Sequence, residues 1–259
     1  PALDIDRLKK IKISLPDLAT QAKIANKLNQ FWKLSGELCG ELNLRKKQYE
    51  YYRDELLSFK QDNKIEWLTL GEIATDIYRG SFFPKNSIEE SGEPCIRYAQ
   101  LYEEDKLQLD GCTLFTDKSK IQSPKYCEYG DVLITATSNI GKNIAKACAY
   151  LGRGKALIDN ICVVIKHNQN PKYLAYALST TNIQKQKIKL SISSGLFNIT
   201  FDSIKKIKIP LLSLEKQKEI VDLLDKFWEL SNNIKEGLPT EILMRKQQYE
   251  YYRDELLKL

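Results

Sequence analysis

A segment of thirteen residues occurs twice in this chain, and it constrains the fold more than any other feature. Residues 45–57 return as residues 245–257 with a single difference, Lys47 against Gln247. Weaker similarity extends each copy upstream, so two similar segments of about 50 residues bracket about 150 residues that have no counterpart. Because a repeated segment is a repeated structural unit, the sequence predicts one helical element in two copies with a different domain inserted between them.

The first copy carries the heptad pattern of a long helix, beginning after Asp17 as N-cap. A narrow apolar seam needs a partner in water, and the second copy supplies the same pattern, so we expect the two repeats to pack antiparallel. Proline is tolerated in a first helical turn but not in a helix interior. We therefore expect the second repeat to break near residues 237–240 and to restart at about Thr240. The predicted seam of the first copy consists of Ile24, Leu28, Phe31, Ser35, Leu38, Leu42, Arg45, Tyr49, Tyr52 and Leu56.

The unrepeated segment has a different pattern. Short apolar runs at residues 131–135 and 158–165 are typical of strands, and residues 171–178 are predicted to form a helix that starts near Asn168 or Asn170. The predicted fold class is therefore α/β (α+β), a globular domain flanked by two long coiled-coil helical repeats packed antiparallel. The predicted segments are residues 1–14 (the tail of a preceding domain), 15–60 (first repeat), 61–209 (globular domain) and 210–259 (second repeat).

Charge is unevenly distributed along the chain. Residues 111–208 hold fifteen Lys/Arg against five Asp/Glu, whereas residues 61–110 hold five against eleven, within a total net charge of +6. A local basic excess indicates an anionic partner better than the total does. No apolar run reaches the ~20 residues that cross a bilayer, and the six cysteines and one histidine lack zinc-ligand spacing. We expect no membrane association, no metal site and a cytoplasmic location.

The sequence shows no catalytic constellation. The Gly-Arg-Gly-Lys segment at residues 152–155 is too short for a Walker-type phosphate loop. A glycine fingerprint for a nucleotide cofactor is missing, as is the Asn/Asp-Pro-Pro-aromatic motif of base methyltransferases. The sequence therefore predicts a non-catalytic protein that binds no cofactor of its own.

Four loops of the unrepeated segment are rich in small, polar and basic residues, namely residues 78–85, 137–143, 152–155 and 191–198. Arg and Lys suit phosphates and guanine edges, and Asn suits adenine. Each loop taken alone is equally consistent with an ordinary solvated turn, but their overlap with the basic half of the domain favours nucleic acid for the set. The candidate DNA-binding residues are Arg79, Ser81, Lys85, Arg97, Asn139, Lys142, Arg153, Lys155, Ser193 and Asn198.

The near-identity of the two copies extends to residues outside the seam. A helix–helix seam does not require identity at such positions, whereas a surface that binds the same partner twice does. Recent duplication is the alternative explanation, but residues 36–43 have diverged freely, which favours the repeated surface. The candidate partner-binding residues are Glu50, Tyr51, Arg53, Glu250, Tyr251 and Arg253.

Several segments resemble the specificity (S) subunits of type I restriction-modification systems. They are residues 208–220, Lys-Ile-Pro-Leu-Leu-Ser-Leu-Glu-Lys-Gln-Lys-Glu-Ile, together with residues 67–73, 96–98 and 139–142. The resemblance implies a target-recognition domain that reads one half of a split site in double-stranded DNA. It also implies repeats that dock two methyltransferase (M) subunits and, through the complex, a restriction (R) subunit. S-adenosylmethionine, and ATP with Mg, would belong to those partner subunits.

The chain departs from the family pattern in its number of domains. S subunits usually carry two recognition domains alternating with two repeats, whereas this chain has one domain, both repeats and the apparent tail of another domain. The sequence leaves open whether two copies form a homodimer that restores a two-domain reader. The alternative function is a coiled-coil scaffold or adaptor whose middle domain binds protein, and salt-dependent DNA binding distinguishes the two.

Overall fold

The computed structural model describes residues 6, 9–10, 13, 15–59, 65–84, 86–102, 107–232 and 238–257. The predicted tail at residues 1–14 lies mostly outside this set. The chain divides into two compact units, one made of Pro1–Tyr49 with Lys226–Leu259 and the other of Glu50–Asp225. The helices are α1 (Leu18–Leu56), α2 (Leu70–Ile73), α3 (Pro171–Ser179), α4 (Thr181–Leu190), α5 (Phe201–Lys205), α6 (Leu214–Asn232) and α7 (Leu238–Leu256).

The first repeat is the single 39-residue helix α1, about 58 Å long at 1.5 Å per residue. Asp17 caps its start as predicted, since the carboxylate accepts hydrogen bonds from the Thr20 amide (2.9 Å) and hydroxyl (2.8 Å). Gly36 and Gly40 lie inside the helix without interrupting it. Half-buried positions recur along one side of α1, which confirms most of the predicted seam, although Lys46 takes the position expected for Arg45. These positions are Ile24, Leu28, Phe31, Ser35, Leu38, Leu42 and Lys46.

The second repeat contains two described helices, α6 (Leu214–Asn232) and α7 (Leu238–Leu256). Residues 233–237 between them lie outside the described residues. The predicted break near residues 237–240 and the restart at about Thr240 therefore stay predictions. Pro239 lies within the described range of α7, and proline is tolerated in a first helical turn because the helix does not need its N–H there.

Helices α1 and α7 pack antiparallel, which confirms the predicted pairing. The Phe31 ring stacks on Tyr252 with centroids 5.2 Å apart, and Lys27 Nζ lies 4.8 Å from the centre of the same tyrosine ring. The Trp32 ring lies 6.2 Å from Tyr249. Residue numbers rise along α1 as they fall along α7, so the two helices run in opposite directions.

The described residues of the unit Glu50–Asp225 form four β-sheets. A five-stranded sheet has the order β2-β12-β8-β10-β5, a second has the order β3-β6-β4-β11-β7, and smaller sheets have the orders β13-β14-β9 and β1-β15. The strands are β1 (Glu66–Thr69), β2 (Ala74–Arg79), β3 (Ile88–Glu89), β4 (Glu93–Ile96), β5 (Gln108–Leu109), β6 (Leu114–Thr116), β7 (Tyr126–Cys127), β8 (Val132–Thr135), β9 (Thr137–Ser138), β10 (Ala147–Tyr150), β11 (Ala156–Ile158), β12 (Cys162–His167), β13 (Ile192–Ser193), β14 (Phe197–Asn198) and β15 (Lys208–Leu211).

The main core lies between the two five-stranded sheets. Leu133 and Val164 from the first sheet pack in one buried cluster with Ile96 and Ile158 from the second. Full burial of each such side chain contributes about 1.5–3 kcal/mol. Strands β1 and β15 pair antiparallel with Trp67 opposite Pro210, so the chain enters and leaves the domain side by side.

The apolar run at residues 158–165 is two strands, not the single predicted strand. Strand β11 ends at Ile158 and pairs with β4 and β7 in one sheet, whereas β12 begins at Cys162 and pairs with β2 and β8 in the other. The buried carboxylate of Asp159 makes the turn between them, because it accepts hydrogen bonds from the amides of Tyr98 (2.8 Å) and Ile161 (3.0 Å). The chain thus crosses from one sheet to the other at this aspartate.

Helix α3 begins and ends close to its predicted bounds. Asn170 is its N-cap, accepting from the amides of Lys172 (3.0 Å) and Tyr173 (3.2 Å). The Tyr173 hydroxyl donates to the Pro210 carbonyl (2.8 Å) and the Tyr176 hydroxyl to Asp225 (2.6 Å). These bonds attach α3 to strand β15 and to the middle of α6. No helix in the described part of the chain is long and apolar enough to cross a membrane.

Candidate nucleic-acid interface

The two ends of the β2-β12-β8-β10-β5 sheet carry different sets of the predicted residues. The last residue of β8, Thr135, lies opposite Cys162, the first residue of β12. The last residue of β2, Arg79, lies opposite the next residue of β12, Val163. We call this end of the strands the recognition end. Asp131, just before β8, lies at the other end of the strands, which we call the opposite end.

Three of the four predicted loops meet at the recognition end. Exposed Arg79 lies there on β2. The chain continues from Thr135 into β9, which pairs with β14 so that Asn198 lies opposite Thr137, and β13 pairs with β14 so that Ser193 lies opposite Phe197. The structure therefore places Arg79 of the 78–85 loop at the same end of the sheet as the paired loops at residues 137–143 and 191–198. Asn139 and Ser193 are exposed and Asn198 is half-buried.

Arg97 reaches the same end from the second sheet. Its Nε lies 4.0 Å from Oδ2 of Asp159, and its side chain remains about one-third exposed. Burial raises the pKa of Asp159, while hydrogen bonds from the Tyr98 and Ile161 amides and the charge of Arg97 lower it. The effect of burial is the largest, so the pKa of Asp159 lies above its usual value. The guanidinium of Arg97 lies beside the turn that leads into β12.

Sequence reasoning missed two residues of the recognition end, Tyr102 and Lys146. The Tyr102 hydroxyl lies 2.7 Å from both the Thr135 hydroxyl and the Thr137 carbonyl. Its ring packs edge-on against Tyr98 with centroids 6.4 Å apart, and Lys146 Nζ lies 5.9 Å from the Tyr102 ring centre. A basic residue next to an aromatic pair suits nucleic acid, but only the fold reveals that these residues are neighbours.

Three predicted residues need separate comment. Ser81 is buried, and its hydroxyl donates to the Ser123 carbonyl (2.9 Å) and accepts from the Lys125 amide (2.7 Å). Because these internal bonds occupy it, we leave Ser81 out of the DNA-facing surface. Lys85 and the side chain of Lys142 lie outside the described residues.

Arg153 and Lys155 lie at the opposite end of the sheet. They belong to the turn after β10, where the Tyr150 amide bonds to the Asp131 carbonyl (2.8 Å) and the Tyr150 hydroxyl to the Gly154 carbonyl (2.9 Å). Lys155 pairs with Glu128 at 2.7 Å, and Glu128 raises the pKa of Lys155. The fourth predicted loop is therefore separated from the other three by the length of the sheet.

The off-seam tyrosines have the same environment in both repeats. Tyr51 is 61% exposed and Tyr251 is 63% exposed. Each packs edge-on against the next tyrosine, Tyr52 or Tyr252, at 5.5 Å in both cases. Glu50 and Glu250 are also exposed. The sequence repeat thus produces the same exposed tyrosine arrangement twice.

The arginines of the two repeats differ. The side chain of Arg53 is only 11% exposed, whereas that of Arg253 is 43% exposed. Next to Arg53, the Asp54 carboxylate accepts from the Thr181 amide at the start of α4 (3.2 and 3.3 Å). The last turns of α1, next to Arg53, therefore contact the start of α4. Only Arg253 has the exposure expected of a partner-binding residue.

Metal ligation and thiol chemistry find little support in the described residues. Within those ranges no group of three His, Cys, Asp or Glu side chains could hold a metal ion. Burial raises the pKa of the Cys95 thiol to about 11 and that of Cys148 to about 12, so both stay protonated near neutral pH. The arrangement at the recognition end suits binding by hydrogen bonds and charge.

Comparison with known proteins gives a consistent result. The family model described as "Type I restriction modification DNA specificity domain" matches residues 62–244. A type I restriction enzyme specificity subunit of Escherichia coli, EcoR124I/EcoR124II, is 35% identical over 95% of this chain and 62% of its own length. A putative type I restriction enzyme specificity subunit of Haemophilus influenzae is 31% identical over 97% of this chain and 64% of its own length.

Solved structures share the fold. A chain from a structure concerning complex assembly and conformational transition of the type I R-M system aligns with a TM-score of 0.72 at 17% identity, over 99% of this chain and 64% of that one. The HsdS subunit from Thermoanaerobacter tengcongensis aligns with a TM-score of 0.57 at 18% identity, over 100% of this chain and 63% of that one. The chain thus spans a little under two thirds of the length of these relatives.

Proposed function

The chain belongs to the type I restriction-modification DNA specificity family, and on that premise we propose that its globular domain reads one half-site of double-stranded DNA through the recognition end. The observation that carries the proposal is that residues of three separate loops, together with Arg97 and Lys146, lie at the recognition end. The scaffold or adaptor alternative is not favoured, because the family match covers the domain itself.

The residues at the recognition end fall into two types, those suited to phosphates and those suited to base edges. Arg79 and Lys146 suit the phosphate backbone, since cationic side chains there release counterions from DNA. Arg97 and Asn139 suit base edges, because a guanidinium binds guanine and an amide binds adenine in pairs of hydrogen bonds. Binding of this kind positions DNA without reacting with it, so the proposed role is non-catalytic recognition. The proposed location of the protein is the cytoplasm.

We propose that the two repeats dock methyltransferase subunits, one at Tyr51 and one at Tyr251, and bring a restriction subunit through the complex. The equal exposure and identical ring geometry of the two tyrosine pairs support two equivalent sites. S-adenosylmethionine, and ATP with Mg, would then be bound by those partner subunits. A second recognition domain, on another chain or another copy, would read the other half-site.

Two matched double variants test the DNA surface. Arg79→Ala with Lys146→Ala removes two cations from the recognition end, and Arg153→Ala with Lys155→Ala removes two from the opposite end. The probe is a fluorescent duplex of random sequence, titrated at several salt concentrations. The first pair should lower the slope of log affinity against log salt by up to about two, at about one for each phosphate that is no longer neutralised. The second pair should leave the slope unchanged. If only the second pair lowers the slope, DNA binds at the opposite end and not at the recognition end. If binding by the wild type does not depend on salt, the proposal of DNA binding is wrong.

A further inference from the structure

We propose that Gln184 and Lys187 on helix α4 are positioning residues that fix the shape of the loop at residues 139–146 and so set which bases the domain prefers. The inference rests on the proposed function, because it assigns that loop to base recognition. Neither side chain needs to touch DNA for the effect.

Gln184 and Lys187 hold three backbone carbonyls of the loop. Gln184 Nε2 donates to the carbonyls of Gly141 (3.3 Å) and Ile144 (3.1 Å). Lys187 Nζ donates to the carbonyl of Ala145 (2.7 Å). Because residues three apart in a helix share a face, one side of α4 supplies all three bonds.

The Lys187 ammonium is part of the core. Only 1% of the residue is exposed, and its donors also reach the Leu178 carbonyl (2.7 Å) and Gln184 Oε1 (3.5 Å). The three protons of the ammonium thus have three acceptors. The lysine therefore connects the loop, the end of α3 and the glutamine that holds the rest of the loop.

The loop needs this support because its own backbone is strained. Ala145 has φ of 55°, a left-handed conformation that costs a residue with a Cβ of order 1 kcal/mol or more. The bond from Lys187 falls on the carbonyl of this same residue. On the other side of the loop, Phe197 lies so close to Gly141 that an added Cβ would come within 2.8 Å of its ring. The loop is therefore held between α4 and the β13–β14 hairpin.

The held segment carries the residues that face the recognition end. Asn139 and Ile140 are exposed, and Lys146 lies over Tyr102. Base discrimination depends on hydrogen bonds whose geometry must be held to within about 0.5 Å. A loosened loop would keep its charges near the phosphates but lose the fixed direction of its base contacts. Specificity should thus fall while the electrostatic part of binding stays.

The test compares two glutamines of the same helix. Gln184→Glu keeps the side-chain size and removes the donor to Gly141 and Ile144. Gln186→Glu is the control, because Gln186 bonds to the backbone of Lys208 in β15 (3.2 and 3.1 Å) and not to the loop. Gln184→Leu is a second variant that removes the donor without adding charge. Circular dichroism confirms that each full-length variant is folded.

The first readout is amide hydrogen exchange without DNA. The reporters are the amides of Asn143, Ile144 and Lys146, which bond to Ile140, Gly141 and the Thr135 hydroxyl. Both Gln184 variants should exchange there at least about tenfold faster than wild type, and Gln186→Glu should not. Unchanged exchange in the Gln184 variants overturns the positioning role, whatever the protein binds.

The second readout is the ratio of affinities for a duplex selected by the wild type and a scrambled duplex. The Gln184 variants should lose at least about fivefold of this ratio, with an unchanged salt slope for the scrambled duplex. Faster exchange with an intact ratio would show that the loop does not set base preference, and would overturn the inference. If wild type has no preference for any duplex, the proposed function fails instead, and the exchange result separates the two failures.

Discussion

Lys187 makes the stability of the domain depend on pH in a way that one substitution isolates. Burial lowers the pKa of its ammonium from 10.5 to about 7. Arg53 also lowers the pKa, and Cys148 raises it. Between about pH 7 and 10.5 the unfolded chain therefore binds a proton at this lysine that the folded chain does not. Stability should rise with pH across that window, because folding no longer has to bury a charge.

The size of the effect follows from the shift. Each pKa unit corresponds to about 1.4 kcal/mol, so the gain between pH 6 and pH 10 is about 4 kcal/mol for this one group. Lys187→Met removes the titration. It also leaves the carbonyls of Ala145 and Leu178 without the ammonium, at about 1–3 kcal/mol each, and that loss does not titrate through this group.

Urea unfolding followed by circular dichroism, at half-unit steps from pH 6 to pH 10, measures the difference between wild type and Lys187→Met. The difference should shift in favour of wild type by about 4 kcal/mol as pH rises, with most of the change above pH 7. Lys189→Met, at an exposed position of the same helix, should show no such trend. A flat difference for Lys187→Met would refute the reasoning, since it would mean that the three acceptors fully compensate the buried charge.

The repeats lead to three further predictions. Asp54→Ala should lower the free energy of unfolding by about 1–2 kcal/mol, because it leaves the Thr181 amide without its acceptor. Asp254→Ala, in the more exposed copy, should lower it by no more than about 0.5 kcal/mol. Equal losses in urea unfolding would contradict a stabilising contact between Asp54 and α4. Tyr51→Ala and Tyr251→Ala should leave the melting temperature unchanged yet each weaken methyltransferase-subunit binding in calorimetry by about 2 kcal/mol, and a fall in melting temperature without loss of binding would make these tyrosines structural. Cysteines replacing Leu28 and Tyr252 should crosslink within one chain on mass analysis, since Phe31 and Lys27 both contact Tyr252, and crosslinks found only between chains would rule out the antiparallel pairing.

The helical part of the fold was predictable because its determinants are local. The heptad spacing indicates the seam of α1 and Asp17 indicates its start, and neither signal depends on distant residues. The turn at Asp159 was not predictable in this way. Residues 158–165 are apolar except for Asp159 and Asn160, which suggested one strand. The aspartate makes a turn there because it accepts a hydrogen bond from the amide of Tyr98, 61 positions away in the chain.

The candidate site was predictable in residue type but not in arrangement. Composition picked out loops with Arg, Lys and Asn, yet it could not show that Arg153 lies at one end of a sheet and Arg79 at the other. That separation depends on the strand order β2-β12-β8-β10-β5. Lys146 was missed for the same reason, since its partner Tyr102 approaches from a different part of the chain. Half-buried Gln184 and buried Lys187 were not singled out, because the carbonyls of Gly141 and Ala145 that they bind lie 43 and 42 positions away in the chain.

Selection from a library of random duplexes tests the central claim most directly, because the target sequence does not have to be known beforehand. The full chain is incubated with the library at moderate salt, bound duplexes are recovered, and several rounds are sequenced. A single recognition domain should enrich one short contiguous motif, and Arg97→Ala should relax the preference at one guanine position at a cost of about 1–3 kcal/mol. Recovery of duplexes with no motif above the input library, at this and at lower and higher salt concentrations in parallel selections, would contradict the assignment of sequence recognition to this domain.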